Sequence, residues 1–363
     1  MIALVLAIGS LTSVASANDS IIERQTGAIG TIQDTPSFGF RNGSVIVAPI
    51  PFSNPMIGSG LALGAGYLFQ LDAGSKPSMI GIGALRSDND SEAYGATLNL
   101  AFASNRWIVG ATIAQADINY DLYAGSTILP LNQSGLLARL NLSYGITREL
   151  SFGVVGRYLD TSVAPAFTLP PPLPSGFQPN VDIAIASYGL AADWDTRDDT
   201  IYPKNGNRLQ VTMLKSQILK GPGSDYSKSF ATYDLYRKLG QSGIVAMRLA
   251  ICTASTSAPF YDKCSLGVTD AFRGFNTTQF LDSRSASAQV EYRRRLSERL
   301  GIVLFGGVGS VGAEFDALNR TGTAGGFGLR YRVSKKFPVD FAMDGSLNDQ
   351  GDKLLYISVG QRY

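Results

Sequence analysis

The sequence of 363 residues contains no histidine. Histidine is the commonest metal ligand and the side chain best suited to act as a general base near neutral pH. Aspartate and serine are plentiful, but no constellation among them supplies an activated nucleophile. We therefore expect no enzyme active site and no bound metal or other cofactor.

Charge and long apolar runs are also scarce. Only 17% of the residues are charged and the formal net charge is +2, with no dense block of Lys and Arg, so a nucleic-acid partner is not expected. After the first residues, no run of about 18 or more consecutive apolar residues occurs, which argues against a transmembrane helix.

The N-terminus has the pattern of an export signal. Residues 1–17 are apolar and end in Ala15-Ser16-Ala17, the small-x-small pattern that precedes a cleavage site. A buried N-terminal strand or helix is the alternative interpretation. We expect a signal peptide at 1–17 and a short periplasmic segment at 18–42. An exported chain without a transmembrane helix is then either soluble in the periplasm or a membrane barrel.

From Gly43 onward, apolar residues alternate with small or polar ones, a period typical of strands with one apolar face. Sixteen such stretches occur, at 43–50, 57–71, 77–86, 92–104, 106–116, 134–147, 149–159, 181–194, 206–217, 226–239, 242–252, 285–296, 299–310, 322–333, 337–346 and 353–363. We predict an all-β protein, with residues 43–363 forming a sixteen-stranded antiparallel transmembrane β-barrel.

The lengths of the connections support this topology. The connections predicted as inner turns are short, with Asp195–Asn205 the longest of them: Asp72–Lys76, Asn105, Arg148, Asp195–Asn205, Leu239–Ser242, Ser297–Glu298 and Ser334–Lys336. The long connections fall in the other set, the outer loops: Asp117–Gln133, Asp160–Asn180, Ile218–Asp225 and Thr253–Arg284. Transmembrane barrels have this asymmetry, whereas a soluble sandwich has no reason to sort its loops by parity.

One inner turn carries a polar motif. Asp195, Arg197 and Asp198 precede Pro203 and Gly206. The aspartates can cap a turn, proline fixes φ, and glycine allows a positive φ before the next strand. Taken alone, the motif predicts only a tight turn.

The two cysteines, Cys252 and Cys264, lie at the edge of and within the same predicted outer loop, Thr253–Arg284. An exported protein meets an oxidising compartment, and two cysteines cannot complete a zinc site. We expect a disulfide rather than a thiol nucleophile or a metal site.

The same loop contains an Arg-Gly-Phe tip, Arg273, Gly274 and Phe275, preceded by Asp270-Ala271-Phe272. In the strand that follows, alternation places Val290 and Tyr292 toward lipid and Glu291 toward the lumen. Arg273 is either an exposed loop residue or the partner of an inward carboxylate.

Together, this tip, the inner-turn motif and the terminal aromatic Tyr363 resemble the bacterial surface-antigen superfamily of outer-membrane β-barrels. That superfamily includes BamA/TamA-type assembly proteins and two-partner-secretion transporters. The resemblance implies that the loop folds into the lumen and that Arg273 pairs with acidic residues on the next two strands. Glu291 matches the first acidic position and Gly307 occupies the second, so we expect one carboxylate partner and a tighter latch in Gly307→Asp.

The junction of the first and last strands is a predicted seam. Pro49 cannot donate a ladder hydrogen bond, and Gly360 matches a glycine that kinks the last strand in BamA-type barrels. Ordinary strand-end chemistry is the alternative explanation for both residues.

For function, the resemblance implies a non-enzymatic barrel in the bacterial outer membrane that inserts or translocates proteins. Its expected partners are outer-membrane lipid and unfolded outer-membrane or secreted proteins. We expect a short form without polypeptide-transport-associated domains, which would need a separate periplasmic receptor. The alternative is a passive pore or a surface-exposed structural barrel. The position of the Arg273 loop distinguishes these two possibilities.

Overall fold

The computed structural model describes residues 43–75, 77–125, 127–166, 181–199, 202–267, 272–332 and 340–359. Sixteen strands in this part of the chain pair in antiparallel order and close into a barrel, which confirms the predicted fold class. The predicted signal peptide at 1–17 and the periplasmic segment at 18–42 lie outside the described residues. In the described part of the chain, no helix has the length and apolarity needed to cross a membrane.

The barrel strands are β1 (Ser44–Asn54), β2 (Gly58–Phe69), β3 (Ser78–Ser87), β4 (Glu92–Phe102), β5 (Trp107–Ala124), β6 (Thr127–Gly145), β7 (Leu150–Pro165), β8 (Val181–Asp195), β9 (Gly206–Lys220), β10 (Tyr226–Leu239), β11 (Gly243–Ala254), β14 (Arg284–Arg295), β15 (Leu300–Gly312), β16 (Arg320–Arg332), β17 (Asp340–Asn348) and β18 (Lys353–Val359). Between β11 and β14, the two-residue strands β12 (Cys264–Ser265) and β13 (Leu281–Asp282) form a separate small sheet.

Alternation along each strand explains why the sheet closes with a polar inside. In β16, Phe327, Leu329 and Tyr331 are exposed on the outer surface, whereas Arg330 between them is buried in the lumen. A band of exposed apolar side chains surrounds the barrel in the same way, and only a lipid environment removes such a band from water.

The prediction of an outer loop at Asp117–Gln133 is wrong. Strands β5 and β6 continue through this stretch as one hairpin, paired up to Ala124 opposite Thr127. Near the outer end, the polarity of the two faces of β5 inverts. Ile118, Tyr120 and Leu122 are buried inside, while Asp121 is exposed outside. A strand that rises above the lipid has its polar face toward water, which explains the inversion. Strand β7 likewise extends into the expected loop, as far as Pro165.

Apolar side chains fill the outer half of the lumen. The largest buried cluster joins residues of β1 to β8, β10 and β11 with residues of the connection between β11 and β14. Ile50, Ile118, Leu131, Ile185 and Tyr261 belong to this cluster. The inner half of the lumen, in contrast, is lined by buried charged residues such as Arg208, Asp234 and Arg248.

Candidate functional site

The connection between β11 and β14 folds into the barrel, and we call its described residues, 255–267 and 272–283, the plug loop. Cys252 in β11 and Cys264 in β12 are bonded, with an S–S distance of 2.00 Å. A 3-10 turn, Phe260–Asp262, lies between them. The disulfide therefore ties the first half of the plug loop to the barrel wall.

Arg273, in the second half of the plug loop, is fully buried. Its guanidinium forms ion pairs with Glu291 and with Asp344, where Nη1 and Oδ2 are 2.7 Å apart. Its Nε donates to the Oε1 of Gln289 at 3.1 Å, and its Cζ lies 3.7 Å from the centre of the Phe305 ring. A buried guanidinium is stable only when its donors are matched in this way.

The second carboxylate partner is not on β15, as the family pattern would place it. Asp344 lies on β17, and its side chain also accepts a hydrogen bond from Arg330 Nη1 at 2.5 Å. The expectation of one carboxylate partner is therefore wrong. At Gly307 itself, a Cβ atom would lie 2.8 Å from the Phe272 ring and 2.4 Å from the Ala288 carbonyl oxygen. We now expect Gly307→Asp to displace the loop rather than tighten it.

The latch is part of a larger charged network on the inner wall. Glu291 accepts from Arg293 as well as from Arg273, with Arg293 Nε 2.5 Å from Oε1. Asp340 at the inner end of β17 pairs with Arg295 and Arg332. Each carboxylate is thus shared between two arginines, and the wall around Arg273 stays positively charged overall.

Only glycine fits at position 274 in the tip. Its φ is +128°, and a Cβ atom there would lie 2.1 Å from the Cβ of Ala324. Its N–H donates to the Tyr356 hydroxyl at 2.9 Å, and its carbonyl accepts from Asn348 Nδ2 at 2.8 Å. Both the backbone conformation and the space require glycine.

Phe275 anchors the tip by apolar contact. It stacks on Phe272 with ring centres 5.8 Å apart and meets Phe280 edge to face at 4.8 Å. On the wall, a Cβ atom at Gly322 would lie 2.4 Å from the Phe275 ring, so glycine makes the space for it. The tip is held by charge and by aromatic packing together.

Sequence reasoning missed a second anchor, Asp262. This buried carboxylate of the plug loop pairs with Arg157 on β7 and, at 3.2 Å, with the Nζ of Lys228 on β10, and it accepts from the Tyr226 hydroxyl at 2.5 Å. Burial alone would raise the pKa of Asp262, but Arg157 and Lys228 hold it below its usual value. The signal available in the sequence was two cations on inward strand positions with no carboxylate beside them.

The inner-turn motif forms a compact local structure. The Arg197 guanidinium donates to both carboxylate oxygens of Asp195, at 2.8 and 2.6 Å. Asp198 accepts the backbone N–H groups that follow the buried Pro203. Burial alone would raise the pKa of Asp198, but these donors bring it below its usual value. Gly206 has a φ of +108°, and a Cβ there would lie 2.4 Å from a carbonyl oxygen. These contacts are those of a turn that ends β8 and starts β9.

In the part of the seam that the structure describes, β1 and β18 are sparsely paired. Strand β1 pairs with β2 over its whole length, but among the described residues its only bridge to β18 joins Ser53 and Ile357. Pro49 lies within β1, exposed on the outer face. The other predicted seam residues, Gly360 and Tyr363, lie outside the described residues.

A polar cavity of about 590 Å³ lies at the inner mouth of the barrel. It is lined by the turns that follow β2, β4 and β6 and by Asp193 and Asp195. The apolar cluster and the plug loop lie on the outer side of it. The lumen thus combines a polar vestibule at the inner end with a filled outer half.

Residues 80–362 match the Omp85 superfamily domain. The chain belongs to the Omp85 superfamily, a family of outer-membrane β-barrels, which confirms the resemblance found in the sequence. The sequence matches no curated protein.

The fold is similar to that of several solved structures, among them one of BamA and two of CdiB. BamA from Haemophilus ducreyi lacking POTRA domains 1-3 is 15% identical, with a TM-score of 0.60 over 88% of this chain and 70% of that one. CdiB from Acinetobacter baumannii is 12% identical, with a TM-score of 0.58 over 88% of this chain and 60% of that one. CdiB from Escherichia coli is 13% identical, with a TM-score of 0.57 over 92% of this chain and 68% of that one. At these identities the similarity concerns the fold.

Proposed function

We propose that this chain is a non-enzymatic barrel of the bacterial outer membrane that acts in the insertion or translocation of proteins. The observation that carries the proposal is the combination of a lumen occupied by the plug loop with a seam that has one bridge among the described residues. A barrel whose centre is occupied by a latched loop does not offer an open channel. A seam bridged at one described residue pair offers a lateral opening instead.

Membership of the Omp85 superfamily supports the same proposal, as does the fold shared with BamA and CdiB. The partners would be outer-membrane lipid at the apolar band and unfolded outer-membrane or secreted proteins at the seam. A separate periplasmic receptor would deliver those proteins to the inner mouth. Arg273 and Glu291 would act as the latch that keeps the lumen closed during this work.

A passive pore is the second candidate, because the cavity of about 590 Å³ opens at the inner mouth. A pore would require the plug loop to leave the lumen. That step would break the buried ion pairs of Arg273 with Glu291 and with Asp344. The closed lumen therefore favours the first proposal.

The experiment uses the purified full chain in liposomes. One measurement follows the folding of a urea-denatured outer-membrane barrel added from outside, and a second follows the leakage of a trapped small dye. We expect faster client folding and dye leakage no greater than from empty liposomes. Dye leakage without any gain in client folding would support the passive pore and contradict the proposal.

A further inference from the structure

The tip of the plug loop contacts the strands on both sides of the seam. On one side, Gly274 and Arg273 bond to β17 and β18 through Asp344, Asn348 and Tyr356. On the other side, Asn276 Nδ2 donates to the carbonyl oxygen of Pro55 at 3.0 Å. Pro55 lies in the turn between β1 and β2, two residues beyond Ser53, the seam residue bridged to β18.

We propose that Asn276 is a strap that holds the seam closed from inside the barrel. The proposal rests on the function proposed above, since it concerns the same seam. If β1 and β18 separate, the tip cannot keep its contacts on both sides. The contacts to β17 and β18 include a buried ion pair and several hydrogen bonds, whereas the contact to Pro55 is one hydrogen bond. The tip therefore stays with β17 and β18, and the bond between Asn276 and Pro55 breaks.

The side chain of Asn276 is oriented for this bond. Its Oδ1 accepts from the backbone N–H of Thr278 at 3.3 Å. Its Nδ2 is thereby directed at the Pro55 carbonyl. An aspartate at this position would keep the first role and lose the second, because a carboxylate oxygen would then face a carbonyl oxygen.

This arrangement makes Asn276→Asp the sharpest variant. It is nearly isosteric, so it tests the donor and not the size of the side chain. Asn276→Ala is the second variant, which removes the bond without adding a charge. The matched control is Tyr120→Phe, which also removes one lumen hydrogen bond, from the Tyr120 hydroxyl to Gln133 at 2.9 Å, but away from the seam.

The opening of the seam is measured as the distance between two spin labels. The labels are attached to cysteines introduced by Leu61→Cys in β2 and Met343→Cys in β17. Both side chains are exposed on the outer face, and the two strands flank β1 and β18, so the labels leave the seam strands unchanged. The full chain is labelled with its disulfide intact and reconstituted in liposomes. A gel-shift assay of unheated samples confirms that each variant is folded.

A lost hydrogen bond changes an equilibrium by roughly fivefold. We expect Asn276→Ala to raise the fraction of long distances about fivefold, and Asn276→Asp to raise it further, with Tyr120→Phe unchanged. Long-distance fractions equal to wild type in both Asn276 variants would overturn the strap, even if the chain promotes client folding. Open seams in both Asn276 variants with no client folding by any variant would support the strap and contradict the proposed function.

Discussion

Arg273 in the plug loop and Asp344 in β17 form a buried ion pair, with Nη1 and Oδ2 2.7 Å apart. The two residues are 71 positions apart in the sequence. Because β17 is the neighbour of the seam strand β18, this pair fastens the loop to the C-terminal side of the seam. The same guanidinium also pairs with Glu291 on β14, so the latch joins strands on two sides of the loop tip.

Arg273→Ala should lower the free energy of unfolding by about 1.5 to 3 kcal/mol, because Glu291 and Asp344 each lose one charged donor but keep a second arginine, Arg293 and Arg330 respectively. We expect lower heat resistance on gels and higher conductance in planar bilayers. Glu291→Ala should have a smaller effect, since Asp344 still pairs with Arg273. The double variant should be little worse than Arg273→Ala.

The control for the latch is Arg86→Ala. The Arg86 side chain is 73% exposed in its pair with Asp90, so its loss should cost about 0 to 1 kcal/mol. Equal effects of the Arg86 and Arg273 variants on melting and conductance would contradict the latch.

Gly274→Ala should push the tip away from the wall. The added methyl group would meet Ala324, and the φ of +128° is unfavourable for alanine. Gly125→Ala is a matched control, since its φ is +66° but no atom lies within 4 Å of the Cβ position. Cleavage of the plug loop by protease added from outside should rise for Gly274→Ala only. A similar rise for both variants would show that backbone conformation alone, and not the fit against the wall, controls the loop.

Asp262→Asn should release the first half of the plug loop. It leaves Arg157 and Lys228 facing each other without a carboxylate, at a cost on the order of 3 to 5 kcal/mol. Protonation of the Asp262 carboxylate should release the first half of the plug loop in the same way. Because the pKa of Asp262 is held below its ordinary value, its stabilisation is complete at neutral pH and is lost only as the pH falls through that lowered pKa.

The measurement for this second anchor is thermal unfolding at neutral pH, with Asp316→Asn as the control because Asp316 is exposed. An Asp262 variant that melts with the control would mean that the anchor contributes no stability.

The disulfide has a direct chemical test. Trypsin cuts after Arg248, Lys263 and Arg273, which separates the two cysteines. Without reduction, the peptides 249–263 and 264–273 should be recovered as one linked species that reduction splits. Recovery of both peptides with free thiols from the mature protein would refute the bond.

Features that depend on a short stretch of sequence could be predicted. The alternation with period two located all sixteen strands and placed Glu291 in the lumen, because the order of apolar and polar residues within one strand indicates which side chains face lipid and which face the lumen. The glycine of the tip was likewise visible, since an Arg-Gly-Phe sequence in a long loop is a local pattern.

Contacts set by the closure of the barrel were not visible in the same way. Asp344 reaches Arg273 only after β14 to β17 are paired in register, and Asp262 meets Arg157 from across the lumen. The sequence predicts a loop at Asp117–Gln133 because the apolar face of this hairpin points inward and its polar face outward, the reverse of the pattern expected for a strand in lipid. The bridge between Ser53 and Ile357 at the seam also depends on the register of the closed barrel, since no local pattern in the sequence indicates this pairing.

The most direct test of the central claim is a reversible lock on the seam. Ser53 in β1 and Ile357 in β18 lie directly opposite each other. In the variant with Ser53→Cys and Ile357→Cys, oxidation would join the two strands by a disulfide. The control is Val47→Cys with Ala65→Cys, which joins β1 to its stable neighbour β2. Client folding by the liposome-bound chain is measured before and after oxidation, under conditions that keep the native disulfide. We predict that the lock on the seam abolishes client folding, that reduction of the lock restores it, and that the control pair has no effect. Unchanged client folding with the seam fully locked would contradict the account.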